Sequence, residues 1–342
     1  MVTPGQKLAI YMEDSMTTQQ GKLGFGVLRY SENPIACVVD SHHAGQNVVD
    51  VSDLGRDCPI VGTLEEARSL GAEVLILGIA PPGGKIPDSW MPVINRAVEL
   101  GFSIANGAHD LLRNRYSQLQ PGQWIWDIRQ EPEGITTATG AAASLSNRRL
   151  LLIGMDMSIG KMTAGLEIHA EAKRRGVKSS FVATGQTGIL IVGSGVPLDA
   201  IRIDFGAGAI EREVMAASDS DLVIVEGQGS LAHPASSATL PLIRGTMPTH
   251  FIMCVRHGQT HLMKMSHIPL PPVEKLIPVY EEIASNFGIF PDAKCVAISM
   301  ITSGLSDEEA KRALAEMEAQ TGLPATDPVR FGAGKLLDAV LA

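Results

Sequence analysis

The stretch Gly154-Met155-Asp156-Met157-Ser158-Ile159-Gly160-Lys161-Met162-Thr163 constrains this chain more than any other. It follows an apolar run, Leu150-Leu151-Leu152-Ile153, and precedes a helical pattern. A glycine-bearing turn between a buried strand and a helix presents successive backbone N–H groups to an anion. The helix N-terminus adds partial positive charge, and a lysine can bridge phosphate oxygens. The segment therefore predicts a phosphate-bearing ligand at the end of a strand. The residues expected to hold it are Gly154, Asp156, Ser158, Ile159, Gly160, Lys161, Met162 and Thr163.

The spacing departs from the common P-loop. Four residues normally separate the first glycine from the Gly-Lys pair. Here there are five, Met155 to Ile159, with Asp156 among them. That longer form resembles the dethiobiotin synthetase and cobyrinate amidase branch of P-loop proteins, which reads Gly-x-Asp-x-x-x-Gly-Lys-Thr. The hydroxyl residue that would bind Mg²⁺ after the lysine is replaced by Met162. Thr163 comes one position later, about 100° further round a helix. The pattern supports phosphate binding and weakens the case for Mg·ATP chemistry.

A chain of 342 residues is long enough for two domains, and 45% apolar with 19% charged residues suits a globular protein. The net charge of -9 argues against general affinity for nucleic acid or an anionic membrane. The expected partner is a small-molecule substrate. The opening Met-Val-Thr-Pro-Gly-Gln-Lys lacks the layout of a signal peptide, and no apolar run approaches ~18 residues. Cys37, Cys58, Cys254 and Cys295 are widely separated without a CxxC pair. Cys37, Cys254 and Cys295 sit within apolar stretches and read as buried, reduced thiols of a cytoplasmic protein. A symmetric homo-oligomer is the general expectation for an α/β enzyme of this size.

Short apolar runs alternate with helical patterns along both halves, which predicts an α/β fold. Leu8–Met12, Ile35–Val39, Val74–Ile79 and Ser103–Ala105 read as strands of a buried parallel sheet in a Rossmann-like order. Thr63 with Glu66 forms a capping box that opens a helix, and a second helix is expected over 89–100, stopped by Gly101. The segment Pro59 to Gly107 loosely resembles the CoA-binding domain of succinyl-CoA synthetase. Gly21-Lys22-Leu23-Gly24-Phe25-Gly26 has the wrong spacing for a dinucleotide fingerprint and reads as a turn or loop. Residues 118–147 look like a linker, within which Trp124 and Trp126 alternate as on a strand and are expected to pack between the halves. The expected division is 1–147, linker included, and 148–342.

In the second half a helix over 162–175 follows the phosphate loop. Ser179–Ala183, Leu222–Val225, Phe251–Val255 and Cys295–Ile298 join Leu150–Ile153 in an expected five-stranded parallel sheet, the core of a three-layer α/β/α, P-loop NTPase-like domain. Ligands of such sheets bind at the carboxyl edge. Three groups of side chains lie on loops there. Glu226 closes an apolar strand within Glu226-Gly227-Gln228-Gly229 and is a candidate catalytic carboxylate. His233, on the same loop, is a candidate proton carrier. Thr184, Gln186, Thr187 and Asp204 form a candidate substrate-binding set, with Arg29 or Arg256 as a bidentate partner for a substrate carboxylate. His257 and His261 have the spacing of one helix face, but no glutamate follows His257 and prolines soon end any helix. No metal site is expected.

Taken together, the whole chain resembles a bacterial family long catalogued as domain of unknown function 1611. The resemblance rests on the phosphate loop with its Gly-Lys-Met-Thr form, Thr184-Gly185-Gln186-Thr187-Gly188, Glu226-Gly227-Gln228-Gly229 and the ending Thr321-Gly322-Leu323-Pro324. It implies a Rossmann-like N-terminal domain and a P-loop C-terminal domain. Some members are D-glutamate N-acetyltransferases, so it also implies acetyl-CoA as the phosphate-bearing ligand and D-glutamate or a similar amino acid as acceptor. Coenzyme A carries a pyrophosphate and a 3′-phosphate, which a P-loop can hold without a Mg²⁺-binding hydroxyl. Two alternatives stay open: an ATP- and Mg²⁺-dependent carboxylate-activating enzyme like dethiobiotin synthetase, and a nucleotide-binding regulator without turnover.

Overall fold

The apolar runs form two separate parallel sheets, each of six strands and each flanked by helices. The computed structural model describes residues 1–54, 56–285 and 288–342. By compactness the chain divides into Met1–Gln130 with Gln186–Pro197, and Glu131–Gly185 with Leu198–Ala342.

The first unit holds β1 (Leu8–Tyr11), β2 (Ile35–Val39), β3 (Ile60–Val61), β4 (Val74–Leu77), β5 (Ser103–Asn106) and β6 (Ile125–Asp127). Their order is β3-β2-β1-β4-β5-β6, all parallel, the doubly wound arrangement that the alternation predicts. The capping box at Thr63 is present, with Glu66 N–H donating to Thr63 Oγ1. Gly101 stops the helix Met91–Glu99 with φ 80°.

Two expectations are corrected here. Gly21–Gly26 is not a loop: Gly21 precedes and the rest begins the helix Lys22–Tyr30. Its Gly24 lies so close to Met12 that a Cβ would stand 2.5 Å from the sulfur, and Gly24 N–H donates to Gly78 O at 2.7 Å. The glycines there permit close packing of a helix on a sheet. The linker from residue 118 is the other: Trp126 belongs to β6, as the strand-like alternation of the tryptophans predicts, so the early part of that segment is the edge strand of the first sheet.

The second unit holds β7 (Arg148–Gly154), β8 (Ser179–Val182), β9 (Leu222–Val225), β10 (His250–Arg256), a small hairpin of β11 (His261–Leu262) and β12 (Met265–Pro269), β13 (Lys294–Ile301) and β14 (Ala325–Thr326). The sheet order is β14-β13-β10-β7-β9-β8, again all parallel. It has six strands rather than the expected five, because β14 is only two residues long and leaves no readable pattern. Leu150 to Ile153 are buried on both faces of the sheet, which explains an unbroken apolar run. The chain winds one way from β7 through β8 and β9, then crosses to β10. That reversal puts a topological switch point at the carboxyl end of β7, where such sheets place their ligands. Among the described residues no helix is long and apolar enough to cross a membrane.

Residues 131–147 lie in the second unit, and one carboxylate ties them down. Glu211, buried on the helix Gly206–Ala216, accepts hydrogen bonds from Thr139 N–H (2.9 Å), Thr139 Oγ1 (2.8 Å), Gly140 N–H (2.6 Å) and Ala141 N–H (3.0 Å). On the same helix a Cβ at Gly208 would stand 1.9 Å from Thr136 O, so this segment lies directly on the helix backbone. Burial works to raise the Glu211 carboxyl, but the donors of Thr139, Gly140 and Ala141 prevail and hold it below the usual range. A depressed carboxyl contributes stability that is present at neutral pH and lost as pH falls through its folded range. Replacing Glu211 by Gln should therefore lower the unfolding free energy by about 2 kcal/mol at neutral pH. In denaturant titrations the deficit should shrink as the buffer is taken down through about pH 4.

Candidate active site

The phosphate loop runs between β7 and the helix Lys161–Arg174, as its sequence predicts. Two residues turn it through left-handed backbone: Ser158 with φ 54° and Gly160 with φ 85°. The second is natural for glycine, and the first is uncommon for a serine. Lys161 is only 6% exposed, and its Nζ donates to the loop's own Asp156 O at 2.8 Å. Desolvation lowers the ammonium to about 8, against the attraction of Asp156 and Glu226.

Asp156 braces the loop from inside. Its carboxylate is 2% exposed and accepts from Met157 N–H (2.6 Å), Gln259 Nε2 (2.6 Å) and Met263 N–H (2.8 Å). The last two come from the segment between β10 and β12, so one side chain holds the phosphate loop to the neighbouring strand's exit loop. Sequence reading missed Gln259 and Met263, which lie more than a hundred residues away and carry no local signature.

On the other side of β7, Glu226 follows β9 and is 4% exposed. Gly227 lets the chain pass there: a Cβ would stand 1.7 Å from Leu152 O and 2.9 Å from Lys161 Cδ. Thr184 N–H (2.9 Å) and Gly185 N–H (3.2 Å) donate to Glu226 Oε2, Gln228 Nε2 (3.1 Å) donates to Oε1, and Thr184 Oγ1 (2.8 Å) donates to Glu226 O. Burial raises the Glu226 carboxyl to about 7, although these N–H donors and the Lys161 charge pull the other way.

His233 lies 5% exposed on the loop after Glu226, and its Nδ1 accepts from Ala235 N–H at 3.1 Å. An accepting Nδ1 leaves Nε2 as the protonated nitrogen of the neutral ring. Nε2 stands 3.9 Å from Asp156 Oδ1, too long for a direct hydrogen bond. The ring is thus placed as a donor beside the loop rather than as a free base. Ser230 Oγ (to Met155 O, 3.0 Å) and Tyr280 Oη (to Gly154 O, 3.3 Å, while accepting from Leu231 N–H, 3.0 Å) clamp this loop to the phosphate loop.

The other candidates lie on several different elements. Thr184 is buried against Glu226, but Gln186 and Thr187 open the helix Gln186–Val192 of the first unit, and Asp204 is exposed in a short 3-10 turn. Arg29 is exposed in the last turn of the helix Lys22–Tyr30. Arg256 ends β10 and lines a cleft of about 380 Å³. Gly160 and Thr163 line another, of about 280 Å³, with Ile301, Pro328 and Val329. Met162 begins the helix next to Lys161. His257 and His261 share no helix, because the first is in the turn after β10 and the second in β11. Among the described residues the one grouping with metal-ligand spacing is Glu13, Asp14 and His42 in the first unit. All four cysteines are buried, and burial pushes Cys37, Cys254 and Cys295 up to about 12 and Cys58 up to about 11, so none is a ready thiolate.

Comparison with known proteins agrees with this architecture. Residues 136–337 match the family described as domain of unknown function 1611, P-loop domain, and residues 41–131 match its Rossmann-like domain. The chain is 41% identical over 285 residues to a D-glutamate N-acetyltransferase of Tritonibacter scottomollicae, spanning 82% of this chain and 84% of that one. It is 35% identical over 277 residues to a D-glutamate N-acetyltransferase of a Pseudoalteromonas species, spanning 80% and 82%. A crystal structure of a DUF1611 family protein from Anabaena variabilis ATCC 29413 superposes with a TM-score of 0.92, at 47% identity over 98% of this chain and 99% of that one.

Glu226 gives the site a thermodynamic signature. Its folded carboxyl is raised to about 7, so above about pH 4.5 the folded state binds more protons there than the unfolded state, and stability falls as pH rises to about 7. Gln at this position removes that penalty and keeps an acceptor for Thr184 and Gly185. The Glu226→Gln protein should match the parent near about pH 5 and exceed it by roughly 2–3 kcal/mol near about pH 8 in urea unfolding. Equal stabilities at both values would contradict a buried, raised carboxyl.

Proposed function

The chain belongs to the family described as domain of unknown function 1611, and from that membership and the site's chemistry we propose that it transfers acetyl from acetyl-CoA to the amino group of D-glutamate. The observation that carries the reading is a built anion site without the hydroxyl for Mg²⁺: Lys161 is buried in a glycine-turned loop, and the next residue is Met162. A buried ammonium that donates to a loop carbonyl fits a phosphate, which would replace that carbonyl with a charged acceptor. These features favour acyl transfer over the ATP-dependent alternative.

In this reading acetyl-CoA supplies the thioester. Lys161 and the loop N–H groups hold its phosphates, and the apolar cleft beside Gly160, Thr163 and Val329 offers a wall for its adenosine end. Glu226 is the general base. With a carboxyl near 7 it is matched to neutral pH, taking one proton from the substrate ammonium and so freeing the nitrogen lone pair that forms the N–C bond. The C–S bond then breaks, and the second proton lost by the acylated nitrogen passes to the departing thiolate, leaving the neutral amide and the free thiol of CoA. Thr184, Gly185 and Gln228 orient the carboxylate, while His233 stays a donor beside Asp156.

Calorimetric titration with acetyl-CoA and with ATP, each with and without Mg²⁺, tests the reading. Metal-independent acetyl-CoA binding is expected, weakened roughly 10–100-fold in Lys161→Ala. With D-glutamate as acceptor, kcat should rise across about pH 6 to 8 and fall on the order of 10²–10⁴-fold in Glu226→Gln. Tight ATP binding that needs Mg²⁺, with none for acetyl-CoA, would sink the proposal. Acetyl-CoA binding without product would point to a regulator.

A further inference from the structure

The cleft beside Arg256 lies at the carboxyl edge of the second sheet, with Met155 of the phosphate loop in one wall. Its volume, about 380 Å³, is that of a small-molecule site. Leu270, Pro272 and Met317 make much of the lining apolar, and Gln259 joins it to the loop through its hydrogen bond to Asp156.

Arg256 is the anomaly in that lining. A guanidinium is charged at every physiological pH, and one withdrawn from water without a partner is unfavourable. Other arginines of the chain, such as Arg96, Arg175, Arg202 and Arg330, are paired with carboxylates. Arg256 Nε is buried with no hydrogen-bond partner, and no ion pair to Arg256 is found among the described residues. The acid in the same lining, Glu316, is exposed and not paired with it. A half-buried fork of donors facing a cleft without its own counter-charge is suited to a carboxylate brought by a ligand.

We propose that this cleft is the acceptor subsite and that Arg256 pairs with the distal carboxylate of a small dicarboxylic amino acid, setting the specificity for it. The inference rests on the acyl-transfer reading and adds a place and a selecting residue to it. Strand spacing identifies which carboxylate. β10 and β9 flank β7 on opposite sides, about 10 Å apart across the sheet, and the register, Cys254 beside Gly154 and Val225 beside Leu151, sets Arg256 a further four residues, about 13 Å, along the strands from Glu226. The α-carboxylate shares the carbon that bears the reacting amine, whereas the distal one lies two methylenes beyond. Only the distal group lets one molecule reach toward Arg256 while its amine is turned toward Glu226.

The test uses the full chain, with D-glutamate and D-glutamine as acceptors and acetyl-CoA as donor. Arg256→Met should raise KM for D-glutamate roughly 10–100-fold, leave KM for acetyl-CoA within about two-fold, and abolish the preference for D-glutamate over D-glutamine. Arg256→Lys keeps the charge but loses the fork, and should show a smaller rise in the same KM; it carries the test if the methionine variant does not fold. An unchanged KM and unchanged preference in a folded variant overturns the subsite and leaves acyl transfer standing. If the parent protein turns over no acceptor, the acyl-transfer reading fails, and calorimetry with D-glutamate alone decides the subsite. Binding that is lost in Arg256→Met supports it, and absence of binding to the parent overturns it.

Discussion

Lys161 carries an ammonium into a site where it is almost fully enclosed, and the surrounding parts of the second unit are arranged around that one charge. Burial alone would expel it or strip its proton. The loop answers with its own Asp156 carbonyl, while the carboxylates of Asp156 and Glu226 on either side favour the charged form. Each carboxylate is in turn anchored by N–H donors, from Met157, Gln259 and Met263 on one side and from Thr184, Gly185 and Gln228 on the other. Strands β9 and β10 thus each contribute one wall to the loop that leaves β7. The arrangement holds the cation in place before any anion arrives, which lowers the ordering that binding would otherwise require.

Close backbone approach makes the arrangement possible. Gly227 passes over the Leu152 carbonyl where no side chain could fit, and Gly185 lies where a Cβ would come within 2.6 Å of Gln228 Nε2. These glycines are therefore spacing elements of the site rather than hinges. The same logic holds at Gly24 in the first unit, where the glycine-rich stretch that mimics a dinucleotide fingerprint brings a helix close to Met12.

Much of this was legible in the sequence because it rests on local pattern. The strand, loop and helix around Gly154–Thr163, the capping box at Thr63, and the main strands of both sheets follow from apolar runs, caps and glycines within a dozen residues. Glu226 was legible as a charge closing an apolar strand. What was not legible depends on contacts made across the chain. Gln259 and Met263 reach Asp156, Tyr280 reaches the loop carbonyls, and Glu211 gathers three consecutive residues of a segment that reads as linker. The protonated nitrogen of His233 is set by the amide of Ala235, a fact of loop geometry that composition does not carry. β3 and β14, at two residues each, are too short for any period to show. Asp327 before Pro328 has the local pattern of a helix start, and it caps the helix Pro328–Phe331.

The return of residues Gln186–Pro197 to the first unit has a consequence for biogenesis. The chain completes all six strands of the first sheet by Asp127, yet the helix Gln186–Val192, which packs on Lys22–Tyr30, is still unsynthesised. It is encoded after the phosphate loop, between β8 and β9. A nascent chain that has emerged only through its first sheet therefore leaves one helix face uncovered until the second sheet has begun to form. Maturation of the two bodies is interleaved along the message rather than serial, and a separately expressed N-terminal piece ending near residue 130 would lack part of its own core packing.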